Sequence, residues 1–201
     1  MLLLLVAQAS DGCEGVPEVS PTAEAMGLNP VLVEQKYTEQ LVTCSDPRKR
    51  AILRLARGKA RLLLRRYFAA VDDFELAMAD GDRCAALYGE IRAWLCVDSA
   101  LADGKSCLAG PFPLPAPGKT KPYSFTTAKA LAAMNVYRIE CGTRDTMDWT
   151  LWQSARLQRA YGQTDQLERT LCSLLRDFPK SPLARRAASF LAETHAICVE
   201  R

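Results

Sequence analysis

Eight cysteines and a single histidine constrain this 201-residue chain more than any other feature of its sequence. An even number of cysteines, spread along the whole chain, is typical of disulfide-bonded proteins from oxidising compartments. A zinc site would need closely spaced pairs such as C-x-x-C, and the sequence has none. We therefore predict a disulfide-bonded protein without a cofactor, in which every cysteine is a candidate: Cys13, Cys44, Cys84, Cys96, Cys107, Cys141, Cys172 and Cys198.

Spacing alone does not reveal how these cysteines pair, but it gives two expectations. Cys84 and Cys96 fall in one predicted helix, ~18 Å apart along its axis, which is too far for a disulfide. Cys44 and Cys84 lie at the same end of consecutive predicted helices, so they are candidates to meet. His195 and Cys198 stand at i and i+3, which predicts one shared side of a helix, but two ligands alone do not make a metal site.

The first residues resemble a secretory signal. Residues 1–9 hold a short apolar run followed by Ala7-Gln8-Ala9, the small-x-small form of a cleavage site. The run lacks a basic segment before it, so we interpret residues 1–9 as a truncated signal peptide, with a short apolar terminus as the alternative. Residues 10–28 read as an extended leader, and residues 29–201 as a single helical domain. Together with the cysteines, this predicts a periplasmic or secreted protein.

Helix signals follow one another along the rest of the chain. Asn29-Pro30, Asp46-Pro47 and Ser181-Pro182 each combine a capping side chain with a proline at the first helical position. Helices are predicted over 30–43, 47–65, 67–80, 83–102, 126–140, 147–161, 165–178 and from 182 nearly to the end. Apolar residues make up 49% of the chain, enough for a sizeable core, and no stretch alternates as a strand would. The predicted fold class is all-α.

Residues 67–80 resemble the second helix of a tetratricopeptide repeat. Tyr67, Ala70, Phe74 and Ala77 stand at that family's tyrosine, small, aromatic and small positions. Small residues let paired helices approach closely, and the aromatic rings fill the remaining space. The first helices fit less well, because strict repeat spacing would place arginines at core positions.

Residues 148–181 resemble the family again, with Gly162 at the turn, Pro179 at the end, and a leucine core at Leu167, Leu171 and Leu174. The segment FPKSPLARRA resembles junctions in bacterial periplasmic repeat proteins, and the last helix would act as a C-terminal cap. The resemblance implies antiparallel helix hairpins stacked as a short α-solenoid. It also implies a protein that binds partners rather than an enzyme.

A row of arginines marks the second predicted helix. Arg50, Arg54, Arg57, Arg61 and Arg65 fall on one stripe, and Ile52, Leu55, Ala56, Leu62 and Leu63 on the opposite face. Like charges at this spacing repel each other and destabilise the helix unless nearby anions compensate them. The stripe is therefore a candidate docking face for an acidic protein segment or an anionic membrane surface. The alternative is a solvated face, or internal pairing with Asp72, Asp73 and Glu75.

A proline-rich insertion over residues 108–124 forbids helix and favours extended geometry. Gly118-Lys119-Thr120 within it resembles the end of a phosphate-binding loop, but proline stands at 113, where that loop needs a glycine. The segment is interpreted as a semi-rigid spacer, or as a stiff peptide offered to a groove or partner.

Catalytic patterns are missing from the sequence. Asp72 and Asp73 are neighbours and should point in different directions, and His195 has no nucleophile signature near it. Trp149 and Trp152 stand at i and i+3, which is more typical of a core than of a pocket. The sequence thus predicts a non-catalytic scaffold or adaptor that binds a protein or peptide partner in a helical groove. An envelope protein on an anionic lipid surface is the alternative, and nucleic acid is the partner that the sequence disfavours.

Overall fold

The computed structural model describes residues 12–16, 29–98, 113–142 and 146–198. Residues 1–9, most of the leader, residues 108–112 of the insertion and Cys107 lie outside these ranges. The described ranges form an all-α structure with these helices: α1 (Pro30–Thr43), α2 (Pro47–Leu63), α3 (Tyr67–Ala77), α4 (Arg83–Val97), α5 (Phe125–Glu140), α6 (Met147–Ala160), α7 (Thr164–Asp177) and α8 (Pro182–Glu193). None of these described helices combines the length and apolar character that a bilayer-spanning helix needs.

The chain divides into two compact units, unit 1 (Met1–Gly89) and unit 2 (Glu90–Arg201), and the division falls inside α4. In unit 1, α2 packs against both α1 and α3. In unit 2, α6 packs against α5 and α7, and α7 packs against α8. Helices that are neighbours in sequence are therefore neighbours in space within each unit.

The predicted capping signals are confirmed. Asn29 Oδ1 accepts a hydrogen bond from the backbone N–H of Val31 at 3.0 Å, and Asp46 Oδ1 accepts one from Lys49 at 3.0 Å. Ser181 Oγ likewise accepts from the N–H of Leu183 at 3.1 Å. These bonds satisfy donors at the first turn that would otherwise lack a helical partner, so the three helix starts are set locally.

Helix ends differ from the sequence expectations. Helix α2 ends at Leu63 rather than Arg65, because Arg65 adopts a left-handed conformation with φ 60°. The N–H of Arg66 then bonds back to the carbonyl of Arg61 at 2.8 Å, which closes the helix. Helix α3 ends at Ala77, three residues before its expected end at Asp80.

The core of unit 1 relies on close helix approach. The ring of Phe74 is fully buried, and a Cβ atom added to Gly58 or Gly89 would lie 2.7 or 2.5 Å from it. Ala70 and Ala77 on the same helix are also fully buried. The small and aromatic positions of α3 therefore serve the packing role that the pattern predicted.

The core of unit 2 contains the leucines predicted for α7, since Leu167, Leu171 and Leu174 are all buried. Gly162 forms the turn between α6 and α7 with φ 68°, a conformation that glycine adopts without strain. Trp152 is buried, which confirms the interpretation of this residue as core.

Residues 113–123 of the proline-rich insertion, here called the strap, are extended and lie along the α6–α7 turn. The N–H of Gly118 donates to the carbonyl of Arg159 at 3.0 Å, and the N–H of Lys121 donates to that of Tyr161 at 3.4 Å. A Cβ atom on Gly118 would lie 1.9 Å from the carbonyl oxygen of Ala160, so only glycine fits there. The strap is thus bound to its own unit rather than free.

Candidate functional site

The arginine row of α2 makes contacts inside unit 1. Arg57 donates two hydrogen bonds to the carboxylate of Asp73 on α3, from Nη2 at 2.6 Å and from Nε at 3.0 Å. The Asp73 side chain is 1% exposed and that of Arg57 is 16% exposed. Arg61 Nη1 donates to Oδ2 of Asp73 at 3.0 Å, the oxygen that Arg57 Nε also contacts. One buried carboxylate on α3 therefore forms ion pairs with two arginines of α2.

Helix α1 supplies the second carboxylate of this network. Glu34 accepts a bond from Arg61 Nε at 3.0 Å and one from Arg66 Nη1 at 2.6 Å. Burial alone would raise the pKa of Glu34, but the hydrogen bonds and positive charges of these two arginines outweigh it and lower the pKa below its ordinary value. Arg61 thereby links all three helices of unit 1.

The other members of the row bond to helix ends or face solvent. Arg50 Nη1 donates to the carbonyls of Leu41 and Cys44 at 2.7 and 2.8 Å, at the end of α1. Arg54 Nη1 donates to the carbonyl of Leu76 at 3.2 Å, at the end of α3. Burial, followed by the charge of Arg50, lowers the pKa of Arg54. Cations at these positions complement the negative ends of the helix dipoles.

Arg65 differs from the other members of the row. Its side chain is exposed and makes no hydrogen bond or ion pair with the described residues. The internal-pairing alternative therefore describes Arg57 and Arg61 correctly, although Glu34 was not among the partners expected. A partner-binding role of the row stays a prediction.

The cysteines that the structure describes are all oxidised. Cys44 pairs with Cys13, not with Cys84 as considered from helix order, because residues 12–16 of the leader lie against the end of α1. There Thr43 Oγ1 donates to the carbonyl of Gly12 at 3.1 Å. Cys13 is buried in a core cluster with Val33, Tyr37 and Leu41. The leader is thus part of unit 1 at this point.

Cys172 pairs with Cys198, and three further cysteines are also disulfide-bonded: Cys84, Cys96 and Cys141. The expectation that His195 and Cys198 share one side of a helix is wrong, because α8 ends at Glu193 and His195 has φ 54°. No group of three or more metal-ligating side chains occurs in the described ranges. These disulfides indicate an oxidising, extracytoplasmic environment.

Unit 2 contains a cleft of about 260 Å³ between α5, α6 and α7, here called the α5–α7 cleft. Its apolar lining comes from leucine and methionine side chains, and its polar lining from amides, hydroxyls and one arginine. The lining residues are Leu131, Met134, Asn135, Arg138, Met147, Thr150, Leu151, Ser154, Gln158, Gln166 and Thr170. None of them is acidic, so the lining carries a single positive charge.

Gln158 is the least satisfied polar side chain of this cleft. It is 9% exposed, and its Oε1 atom is buried without a hydrogen-bond partner in the part of the chain that the structure describes. A buried amide acceptor without a partner costs about 1–3 kcal/mol, which favours a ligand that supplies the missing donor. The amide can present its N–H₂ group or its oxygen to such a ligand by rotating about its last torsion.

Two of the three hydroxyls that line the cleft are already occupied within α6 and α5. The Ser154 hydroxyl has two acceptors within hydrogen-bond distance, Met134 Sδ at 3.0 Å and the carbonyl of Thr150 at 3.1 Å. Thr150 Oγ1 donates to the carbonyl of Thr146 at 2.9 Å. The donors still available to a ligand are therefore those of the amides, of the Thr170 hydroxyl and of Arg138.

The strap supports one wall of the cleft. The Tyr123 hydroxyl donates to Gln166 Oε1 at 2.7 Å, which leaves the Gln166 N–H₂ group available. The Tyr123 ring contacts the Tyr161 ring with centroids 5.2 Å apart, and burial raises the pKa of Tyr123. The proline-rich segment thus positions a residue of the cleft.

Sequence reasoning missed this cleft, although α6 carried a signal for it. Thr150, Ser154 and Gln158 recur every four residues on a helix whose neighbouring positions are largely buried. A polar row inside a buried helix indicates a site or an internal network rather than solvent. Comparison of the chain with protein-family models, with curated proteins and with solved structures finds no match.

Proposed function

We propose that this protein is a non-catalytic, extracytoplasmic scaffold, similar to tetratricopeptide-repeat proteins, that binds a protein or peptide partner through the α5–α7 cleft. One observation carries the proposal: a cleft of about 260 Å³ in which the buried Gln158 amide oxygen lacks a partner. Small-molecule sites are commonly about 300–1,000 Å³, so this cleft suits one or two side chains of a longer ligand.

Peptides supply both kinds of contact that this lining offers. Their backbone N–H groups are donors for the Gln158 oxygen, and their side chains can enter between Leu131, Met134 and Met147. Methionines adapt to ligands of different shape, which suits recognition of a peptide segment. The disulfides support an extracytoplasmic site of action, in the periplasm or after secretion.

The first test uses the chain's own methionines as probes. The protein is labelled with ¹³C at its methionine methyl groups and titrated with a pool of blocked five-residue peptides. We expect the signals of Met134 and Met147 to shift, while Met78 of unit 1 serves as the internal reference. Gln158→Met should weaken the response. Unmoved Met134 and Met147 signals at millimolar peptide would contradict the proposal.

A second measurement addresses the compartment. The intact mass of protein from its native source is measured with and without reduction before alkylation. Export predicts loss of about nine residues at a small-x-small site, and thiols that appear only after reduction. A full-length chain with eight free thiols would contradict an extracytoplasmic location.

Docking of the arginine row on an anionic lipid surface is the weaker candidate. Arg50, Arg54, Arg57 and Arg61 already have partners within unit 1, so lipid head groups would have to displace them. Sedimentation with anionic but not neutral vesicles would favour this candidate over peptide binding.

A further inference from the structure

The single charge of the α5–α7 cleft restricts which peptide fits it, and this step rests on the proposed function. Arg138 is exposed, and its Nη2 donates to Asn135 Oδ1 at 3.2 Å. It forms no ion pair with any acidic group in the described ranges. The pKa of Asp177 is lowered chiefly by its hydrogen bond from Arg176, at 2.7 Å, and the charge of Arg138 is a minor cause. The guanidinium is therefore free to bind a carboxylate from a ligand.

The two polar contacts of the cleft lie at different levels along α6. Helices α5 and α6 are antiparallel neighbours, because Tyr137 bonds to Thr146 at 2.5 Å and Ser154 bonds to Met134 at 3.0 Å. This register places Arg138 level with the first turn of α6, about Met147 to Thr150. Gln158 then lies about 8 to 11 residues further along, or ~12–17 Å at the rise of an α-helix.

A distance of ~12–17 Å is about four or five residues of extended chain. An extended peptide that donates a backbone N–H to Gln158 can therefore place a side chain near Arg138 four or five residues away. Alternate side chains of such a peptide face the same way, so those between would meet Met134 and Leu151, with Met147 near the Arg138 end. Inorganic anions would leave both the apolar lining and the Gln158 acceptor unused.

We propose that the α5–α7 cleft binds an extended apolar peptide segment carrying an internal aspartate or glutamate, whose carboxylate pairs with Arg138 while a backbone N–H binds Gln158. The carboxylate belongs to a side chain rather than to a chain end. The cleft therefore recognises an acidic residue within a peptide and does not require a free C-terminus.

The test compares three peptides on the methyl-labelled full chain. GLSLSEG with both ends blocked places two leucines and a glutamate on one side, GLSLSQG is its neutral counterpart, and GLSLSQ with a free carboxyl end supplies the other source of charge. We expect GLSLSEG to bind about threefold more tightly than GLSLSQG, as an exposed ion pair allows. The free-ended peptide should bind like the neutral one.

Two matched variants locate the effect. Arg138→Gln should abolish the preference for glutamate, and Arg169→Gln, which changes an exposed arginine of α7 outside the cleft lining, should retain it. Gln158→Met should weaken both blocked peptides about tenfold without changing their ratio. These ratios do not depend on the stability of the variants, provided that each still folds by circular dichroism.

The outcomes separate the two proposals. Equal binding of the blocked peptides, tighter binding of the free-ended one, or a preference that survives in Arg138→Gln would overturn the inference and leave peptide binding intact. Failure of all three peptides to move Met134 and Met147, together with failure of the mixed pool, would overturn both.

Discussion

Unit 1 and unit 2 are both helical, but they use different interactions around their cores. Unit 1 joins its helices through partly buried ion pairs, in which Glu34 and Asp73 answer arginines of α2 and its following turn. Unit 2 instead shows hydroxyl contacts and a bound strap, with Thr127 Oγ1 bonded both to the Asp98 carboxylate and to the Tyr161 hydroxyl. Ion pairs thus join the helices of unit 1, whereas hydroxyl groups and the strap join the described elements of unit 2.

The difference can be measured because the two units have separate optical probes. All three tryptophans, Trp94, Trp149 and Trp152, belong to unit 2. Tryptophan fluorescence therefore follows unit 2, whereas far-UV circular dichroism follows both. A change confined to unit 1 should move the second signal more than the first.

The largest effect is expected from the disulfide of unit 1. Replacing Cys13 and Cys44 by serine opens a loop of sequence separation 31 and places polar atoms in a buried cluster. We expect a loss of about 3.5 kcal/mol in the free energy of unfolding, measured with urea. The matched change at Cys172 and Cys198, where Cys198 is exposed, should cost less. A greater loss in unit 2 would reverse this ranking.

Asp73→Asn should cost about 3 kcal/mol, because it leaves Arg57 and Arg61 partly buried without their shared anion. The control is Asp72→Asn, which changes an exposed neighbour and should alter stability by less than about 0.5 kcal/mol. Urea unfolding followed by circular dichroism measures both. Similar values for the two variants would show that the ion-pair network contributes little.

In unit 2 the corresponding destabilising substitution lies in the strap. Gly118→Ala would force a Cβ atom against the Ala160 carbonyl, at 1.9 Å without rearrangement, and should cost about 2 kcal/mol. The amide hydrogens of Gly118 and Lys121 should then exchange faster, as measured by NMR. Ala116→Ser, an exposed change in the same segment, should leave exchange unaltered. Unchanged exchange in both would mean that the strap tolerates a side chain there.

Acid should weaken unit 1 through Glu34. The pKa of Glu34 is lowered in the folded state, so its ionised form stabilises the fold above the unfolded value near 4.5, and this contribution is lost as the pH falls through the folded pKa. Glu34→Gln should cost about 1 kcal/mol at pH 7 and flatten the dependence of stability on pH below 4.5. An unchanged acid slope in this variant would assign the pH dependence to other groups.

The smallest expected effect is a gain. Arg65 has φ 60°, which strains a residue with a side chain, and its guanidinium has no bonding partner in the described ranges. Arg65→Gly should therefore stabilise unit 1 by about 0.5 kcal/mol in urea unfolding. Arg61→Gly should instead destabilise unit 1, because Arg61 forms ion pairs with two carboxylates, those of Glu34 and Asp73. A loss in both variants would indicate that Arg65 contributes an interaction of its own.

Much of the fold follows from short-range patterns in the chain. Asn29, Asp46 and Ser181 each cap a helix through a bond to a backbone N–H two or three residues away. Proline at the next position and the leucine spacing of α7 act over similarly short distances. These signals determined the helix starts and the all-α class, because a helix depends on residues within about one turn of each other.

Tertiary structure decided the roles of the charged and polar residues. The arginine row looked like a docking face because its counter-charges are distant in sequence: Glu34 lies 27 residues before Arg61 and Asp73 lies 12 after it. Cys13 meets Cys44 across 31 residues, and the α5–α7 cleft combines side chains of three helices. Packing alone sets which distant groups share a low-dielectric space, so helix periodicity predicts that a face exists but not what it meets.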